Sequence, residues 1–289
     1  MKVKIFTDTS CDLPSEELVK HQIEMIPSKI TFEDGETFLD RFEITPSQFV
    51  DKMKTCKKLP KTAAPDPATF VSCFNKGLRE ADEVIFISLS SGLSSTYQTA
   101  LLARDLVGSE KIYVFDSLTA SLGTGIAAIN AAYMADQGFK AGAIIDKLSK
   151  MRETKEVLFT LDTLDNVVKG GRLSRFQGIA GNMLNIKPIL RGNMQGVPEV
   201  IAKVRGRKHA MHRLVDMLGE MMGANVSDLI IGVSHVSCPE EAFKLAQAIK
   251  DKYHLSEEII VSEMGATIGT YAGVGGLMIN LSLGARSNA

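Results

Sequence analysis

The sequence predicts an α/β protein of two domains, an N-terminal domain built on a parallel sheet and a C-terminal α+β domain. The chain has 289 residues, about twice the usual domain length. In its first half, short β-rich runs alternate with longer helical patterns, which is typical of βαβ units. In its second half, strands and helices follow a looser order. We therefore place the boundary near Lys155, with domains at residues 1–155 and 156–289.

Four strands are predicted in the N-terminal domain, each a short apolar or β-branched run. They cover residues 3–7, 24–32, 84–89 and 111–115. The last two are almost entirely apolar, which favours central strands that are covered on both faces. Several of these runs end in small hydroxyl-bearing residues. The carboxyl ends of parallel strands form the ligand side of an open sheet, so polar contacts are expected there.

The C-terminal domain is entered through an amphipathic helix at residues 141–152 and a strand at residues 157–161. Further strands are predicted at residues 198–204, 229–234, 258–263 and 277–283, with a helix at residues 239–253. The glycine-rich residues 269–276 lack the Lys-Ser/Thr of a phosphate loop. We interpret them as a tight turn between strands.

Composition narrows the function classes. Apolar residues make up 45% and charged residues 23% of the chain, which are ordinary globular values. No apolar run reaches the roughly 18 residues that span a bilayer, and the first residues lead directly into a strand-like run. We expect a cytoplasmic protein without stable membrane insertion, and we favour a monomer.

No metal site and no cofactor are expected. The four cysteines are scattered and form no C-x-x-C pair, which argues against a zinc ribbon and a dithiol redox site. His209 and His212 could share one helix face, but Arg207, Lys208 and Arg213 surround them and would repel a cation.

Positive charge is concentrated in residues 166–215, the basic window. The window holds ten Lys and Arg residues against the single acid Glu199, within a chain of net charge −1. The ten are residues 169, 172, 175, 187, 191, 203, 205, 207, 208 and 213. Such segregation attracts anions or an acidic partner protein. Nucleic acid is not expected, because aromatic residues are 6% of the chain and the overall charge is not basic. A solvated face without a partner is the alternative.

The most informative motif is a hydroxyl-rich run at a predicted strand-to-helix junction, in which Ser94, Ser95 and Thr96 follow each other. Free N–H groups at a helix start, together with hydroxyls, suit a carboxylate or a phosphate. Ordinary helix capping is the alternative. A hydrolase nucleophile at Ser94 would need the pattern G-x-S-x-G. Gly92 supplies the first glycine, but Thr96 stands where the second is required, and no histidine can be nominated as base. Ser94 is therefore predicted to be a hydrogen-bond donor.

A second glycine motif, Gly123-Thr124-Gly125, has the spacing of a dinucleotide fingerprint. Its first glycine falls about two helical turns past the end of the preceding strand, too far for a pyrophosphate loop. Close helix packing is the better interpretation.

Two further segments supply candidate anion contacts. Pro65 and Pro67 forbid regular structure, so the preceding Thr62 is expected in a rigid extended loop. Arg172 follows a flexible Gly pair, and Lys187 adds a second cation to the basic window. The planar fork of arginine can donate two parallel hydrogen bonds to an oxyanion.

Together these segments resemble the DegV family, and in particular its fatty-acid-binding members, the FakB proteins of bacterial fatty acid kinase. The resemblance runs nearly end to end. It rests on residues 6–10, on Thr62 with Pro65 and Pro67, and on residues 93–100, 115–117, 170–174, 187–189 and 265–276.

The resemblance implies a DegV-like two-domain fold with an interdomain tunnel for one long-chain fatty acid (C14 to C18). Thr62 and Ser94 match the family's carboxylate-binding hydroxyls, and Ser95 and Thr96 continue that motif. Where the family usually has Gly-Thr-His, this chain has Gly269 followed by Thr270 and Tyr271. Tyr271 can hydrogen-bond a headgroup but cannot supply a charge that switches near neutral pH.

In kinase-linked members, the resemblance implies, the protein performs no bond chemistry and presents the carboxylate to a separate ATP-dependent fatty acid kinase. That kinase makes an acyl phosphate for phospholipid synthesis. Arg172 and Arg205 match basic residues implicated in this step, and Lys187 lies in the same basic window. Two alternatives stay open. One is an enzyme, a hydrolase or transferase, that acts on a small oxyanion at the same loops; the other is a lipid-responsive regulatory protein.

Overall fold

The structure is a computed structural model that describes residues 1–173, 185–222 and 229–285. Its strands are β1 (Val3–Asp8), β2 (Glu24–Ile26), β3 (Lys29–Thr31), β4 (Thr37–Leu39), β5 (Lys61–Ala63), β6 (Glu83–Ser88), β7 (Ile112–Asp116), β8 (Glu156–Thr160), β9 (Ile186–Gly192), β10 (Pro198–Arg205), β11 (Leu229–His235), β12 (Ile260–Glu263) and β13 (Leu277–Leu283). Its α-helices are α1 (Ser15–Lys20), α2 (Pro46–Thr55), α3 (Pro67–Glu80), α4 (Thr96–Val107), α5 (Leu122–Asp136), α6 (Ala141–Glu153), α7 (Asp165–Lys169), α8 (Arg207–Met222), α9 (Pro239–Tyr253) and α10 (Ala266–Ala272).

The first half of the chain is built on a parallel sheet in the order β2-β1-β6-β7. Alternate residues of its central strands face opposite sides, as the period of two requires. Phe6 and Phe86 pack under α3 and α4, whereas Ile5, Ile85 and Ile87 pack under α5 and α6. The predicted parallel α/β arrangement is confirmed. It could be predicted because strands buried on both faces appear in the sequence as continuous apolar runs.

One predicted strand divides between two sheets. Residues 24–32 form β2 in the parallel sheet and β3 in a small antiparallel sheet of order β4-β3-β5. The two strands are separated by Pro27, which has no N–H to donate, and by Ser28.

The expectation of an irregular loop around Thr62 is wrong. Thr62 lies in β5 opposite Ile30 of β3. Pro65 and Pro67 follow the strand, so they remove no N–H from its ladder. Pro67 instead begins α3, and the Asp66 carboxylate caps that helix by accepting from the Thr69 N–H at 2.9 Å.

The second half of the chain is built on a mixed sheet in the order β10-β9-β8-β13-β11-β12. Its neighbours are antiparallel except for the parallel pair of β11 and β12. Helices α8 and α9 cover one face of this sheet through a core that includes Leu214, Leu245 and Ile279. The predicted α+β character is confirmed. β9 was not predicted, because Pro188 interrupts the pattern of a strand.

The interpretation of residues 269–276 as a tight turn between strands is wrong over their first part, which belongs to α10. The N–H groups of Ala266 and Thr267 donate to the buried Asp40 carboxylate at 2.8 and 2.9 Å. This acceptor comes from a part of the chain more than 200 residues away. No local sequence pattern could therefore indicate the start of the helix.

A network of buried polar groups, the polar seam, joins the two halves. The Asp12 carboxylate accepts from Arg41 Nη2 at 3.0 Å, from the Gly265 N–H at 2.7 Å and from Ser121 Oγ at 2.7 Å. Ser121 Oγ also lies 2.8 Å from Ser234 Oγ. Burial raises the pKa of Asp12 to about 6, although the positive charge of Arg41 acts to lower it. The seam fixes one side of the junction between the halves.

The glycines of α5 allow close packing, as the sequence indicated. A Cβ at Gly125 would lie 2.7 Å from the Leu13 side chain, and one at Gly123 would overlap the Thr119 hydroxyl. Within the described ranges, no helix is long and apolar enough to cross a membrane. No three His, Cys, Asp or Glu side chains of those ranges are grouped to hold a metal ion.

Candidate functional site

A narrow apolar slot lies between the parallel-sheet half and the mixed sheet. Its walls come from the loops after β6 and β7, from β8 and β13, from α10, and from the turn between β9 and β10. The atom-free space, counted with its opening, is about 850 Å³.

The long wall of the slot is β8 and the loop residue that follows it. Val157, Phe159 and Leu161 alternate along the chain and all line the slot, and Met278 of β13 stands opposite Phe159 in the ladder. At the rise of an extended strand, residues 157–161 span roughly 13 Å. The alternation presents a continuous apolar strip along the slot.

The polar end of the slot is formed by Thr62, Ser94, Arg172 and Tyr271. Thr62, Ser94 and Arg172 also line an outer opening between residues 62–67 and α4. Thr62 Oγ1 lies 2.6 Å from the Tyr271 hydroxyl, so the two share a hydrogen bond. These residues stand where the slot meets its mouth.

Arg172 is fixed at this end by three contacts. Its Nε donates to the Leu93 carbonyl at 3.2 Å, and its Nη1 donates to the Gly170 carbonyl at 2.6 Å. Its guanidinium lies 4.6 Å from the centre of the Tyr271 ring. Gly170 packs on the same ring, and a Cβ there would overlap it. A positive charge is thus held beside the two candidate hydroxyls.

The other predicted hydroxyls do not line the slot. Ser95 is exposed and lines only the outer opening. Thr96 is buried, and its hydroxyl lies 2.9 Å from Ser94 Oγ. Thr270 is buried and donates to the Ala266 carbonyl at 2.7 Å within α10. The structure brings Thr62, Ser94 and Tyr271 together and leaves these three outside.

The basic window is less segregated in space than in sequence. Lys187 pairs with Asp162 at 2.8 Å, while Arg205 is exposed on β10. Further pairs with acids outside the window are Arg191–Glu156, Arg207–Glu241 and Arg213–Glu220. Ser174 and Arg175 lie outside the described residues. Much of the window's charge is therefore neutralised locally, which the count along the chain could not show.

Comparison with known proteins identifies the family. The DegV family model, described as "Uncharacterised protein, DegV family", matches residues 2–281. This chain belongs to the DegV family. Protein DegV of Bacillus subtilis is 34% identical over 282 residues, which cover 96% of this chain and 98% of that protein.

Two solved DegV structures share the fold closely. One, described as a DegV lipid binding protein from Thermotoga maritima, is 30% identical with a TM-score of 0.88, covering 98% of this chain and 99% of its own. The other, described as DegV, a fatty acid binding protein from Bacillus subtilis, is 33% identical with a TM-score of 0.87 and the same coverages. The predicted DegV-like fold is confirmed.

The residues that sequence reasoning missed in this DegV chain are the apolar walls. Val157 and Phe159 were recognised as strand residues, but the face they share with Leu118, Ala120 and Met278 depends on packing between the halves. The alternation along β8 was the one available signal. It indicates a strand with an apolar face without showing what that face covers.

The hydroxyl of Ser94 is bonded at the start of α4. It accepts from the Thr96 N–H at 3.2 Å and pairs with the Thr96 hydroxyl. Among the residues that the structure describes, no histidine lines the slot or the outer opening. Ser94 Oγ is thus engaged with the first residue of α4.

Proposed function

We propose that this chain binds one long-chain fatty acid, with the tail in the slot and the carboxylate at the polar end. The observation that carries the proposal is the polarity of the slot itself. Apolar side chains line it along β8, and its mouth is framed by Thr62, Ser94 and Arg172. A molecule with a long apolar tail and one terminal anion matches that pattern.

The tail supplies most of the affinity. Burying a C16 chain at roughly 0.8 kcal/mol per methylene gives a gross gain on the order of 10 kcal/mol, before the cost of ordering the ligand. Each hydroxyl donor adds about 1 to 2 kcal/mol at a charged acceptor. Thr62 and Ser94 therefore determine mainly which end of the ligand lies at the mouth, and Arg172 offsets the buried negative charge.

The two solved DegV relatives described as lipid-binding and fatty-acid-binding support the same ligand class. The direct test is to purify the protein, extract it with organic solvent and identify the released molecule by mass spectrometry. We expect one C14 to C18 acid per chain. A protein that is empty after purification and takes up no fatty acid on titration would contradict the proposal.

The headgroup assignment has its own test. Replacing both hydroxyls, Thr62→Ala with Ser94→Ala, should weaken fatty-acid binding by roughly tenfold or more. Thr37→Ala and Ser91→Ala are the matched controls, because they remove hydroxyls from the same small sheet and the same loop without lining the slot. Equal affinity in the double variant and the controls would remove these hydroxyls from the headgroup site.

The chain is further proposed to act without bond chemistry of its own and to present the carboxylate to an ATP-dependent fatty acid kinase. Arg172 at the mouth and the exposed Arg205 on β10 are the cations that such a partner would meet. Lys187 contributes less, because Asp162 already pairs with it. The support for presentation to a kinase is thus the positive charge of Arg172 and Arg205 at accessible positions.

The kinase step can be followed by trapping the acyl phosphate with hydroxylamine. Arg205→Ala should lower its formation by roughly fivefold or more while the fatty-acid Kd stays the same. Lys244→Ala removes an exposed cation of α9 and serves as the control. Equal product from both variants would exclude a role for Arg205, and absence of product with the unaltered chain would exclude presentation.

A further inference from the structure

The turn between β9 and β10, residues 193–197, reaches across to the parallel-sheet half. A Cβ at Gly92 would lie 2.7 Å from Val197 Cγ1 and 2.8 Å from the Gln195 carbonyl oxygen. A Cβ at Gly196 would overlap the Ser90 hydroxyl and lie 2.8 Å from Leu118 Cα. Two glycines, one on each side, therefore allow this turn to rest directly on the loops after β6 and β7.

The turn is held together by its own hydrogen bonds. Asn193 Oδ1 accepts from the N–H groups of Gln195 and Val197 at 3.0 and 3.1 Å, and the Gly196 N–H donates to the Asn193 carbonyl at 2.9 Å. Gly196 has φ +71°, which suits glycine. Across the described parts of the chain, no hydrogen bond joins this turn to residues 90–92 or 118. The contact between the halves here is van der Waals contact.

The same turn closes the apolar end of the slot. Gly196, Val197 and Pro198 line the slot but not the outer opening, and Gly192 lines it beside Val157. Val157 stands near the start of β8, where β9 leaves the ladder towards the turn, whereas Arg172 follows α7 beyond the other end of β8. The wall at the apolar end is therefore hydrogen-bonded within the turn, and among the described residues it makes no hydrogen bond to the loops that it covers.

We propose that residues 193–197 are a lid over the apolar end, and that the contact of Val197 with Gly92 controls how fast the ligand enters and leaves. This inference rests on the proposed fatty-acid binding. Lifting the lid separates surfaces that are in van der Waals contact, without breaking a hydrogen bond between the halves. The polar end contrasts with this, because Thr62 and Arg172 are hydrogen-bonded across their contacts there.

A lid of this kind has a kinetic signature. If it is closed in both the free and the loaded protein and open only during passage, a change that hinders opening slows uptake and release equally. The Kd then stays the same. A residue that only lines the slot would instead change release and Kd together. Val197 and Gly92 would act on the position of the lid, so changing them should alter both rate constants and leave the Kd the same.

The test is a disulfide across the contact, Gly92→Cys with Val197→Cys. In a disulfide, the far sulfur lies roughly 3 Å from the Cβ of the other residue, close to the 2.7 Å between the Gly92 Cβ position and Val197 Cγ1. The new Cβ also displaces the Gln195 carbonyl in both redox forms, so the comparison is between the oxidised and the reduced form of this one variant. The probe is cis-parinaric acid, a fluorescent fatty acid without a bulky label, with albumin as acceptor. Formation of the crosslink is checked by peptide mapping under non-reducing conditions.

We expect the oxidised variant to release and take up the probe roughly tenfold more slowly than the same protein after reduction, with Kd within about twofold. Equal rates in a variant that loads normally would overturn the lid and leave the proposed function standing. Failure of the unaltered protein to load the probe would overturn the proposed function and the lid with it.

A second variant needs no crosslink. Val197→Gly removes the side chain that meets Gly92, and Met194→Ala is the control, since Met194 is exposed on the same turn. Uptake and release should both become faster by roughly fivefold in Val197→Gly, with the melting temperature measured as a check on folding. Faster release with unchanged uptake would assign the effect to a lost tail contact and overturn the lid.

Discussion

The two halves of the molecule meet in two contrasting ways. At the polar seam, the buried Asp12 carboxylate collects hydrogen bonds from Arg41, Ser121 and Gly265. At the apolar end of the slot, the halves touch through Val197 and Gly92 without a hydrogen bond recorded among the described residues. The apolar end of the slot lies at the second of these contacts.

The difference follows from the energetics of the two contacts. Separating the polar seam would leave buried charges and donors without partners, which is costly. Separating a small van der Waals contact that holds no hydrogen bond costs much less, in proportion to the apolar area that becomes exposed. One contact can therefore hold the halves in register while the other yields to a ligand. A substitution and a pH titration test the polar seam, and a second substitution and a crystal structure test where the ligand tail lies.

Arg41→Met should have the largest effect, because it removes the cation from the polar seam and leaves the Asp12 charge buried. The expected loss of unfolding free energy is about 3 to 5 kcal/mol at pH 8, measured by denaturant titration. Lys52→Met is the control, since Lys52 pairs with Asp34 and Glu36 at the surface and should change stability much less. Equal losses in the two variants would mean that the seam does not hold the halves.

The polar seam should also respond to pH. The folded-state pKa of Asp12, about 6, lies above the usual aspartate value near 4, so the folded protein binds this proton more tightly than the unfolded chain. The stability that this group contributes is present at pH 4 and is lost as the pH rises through 6, by at most about 3 kcal/mol. Unfolding titrations from pH 4 to 7 on wild type and Asp12→Asn isolate this slope. Identical slopes would contradict the assignment.

Val157→Phe should shorten the slot at its apolar end without touching the mouth. Excluding two or three methylenes of a C16 acid costs roughly 2 kcal/mol, or about thirtyfold in Kd. Decanoic acid is the internal control, because its shorter tail should not reach the altered wall and its Kd should change by less than about threefold. Equal weakening of both acids would place the tail elsewhere.

The sequence was sufficient to predict the strands and helices whose burial produces a clear pattern of apolar residues. The apolar runs of β6 and β7, and the exact helix and strand of α9 and β13, follow from composition and periodicity. It was insufficient where a distant group decides the local structure. The start of α10 depends on Asp40, and the pairing of β5 depends on β3. Such partners are set by the fold, so local patterns cannot reveal them.

The candidate site divides in the same way. Thr62, Ser94 and Arg172 could be nominated from the sequence because they lie in motifs that resemble those of the DegV family. Thr270, by contrast, turns back to bond its own helix, which no pattern of letters distinguishes. The apolar alternation along β8 indicates a strand face, but the sequence does not show what that face covers, and the same holds for residues 193–197, because both depend on which surfaces meet across the junction.

Both the headgroup site and the lid require the bound tail to point from Thr62 and Ser94 towards Val157. A crystal of the protein with 16-bromohexadecanoic acid would place the tail-end bromine by its anomalous scattering. We predict a single bromine site in contact with Val157, Gly192 or Val197, with density for the carboxylate at Thr62 and Ser94. A bromine beside Thr62 and Ser94, or one outside the slot, would contradict the account.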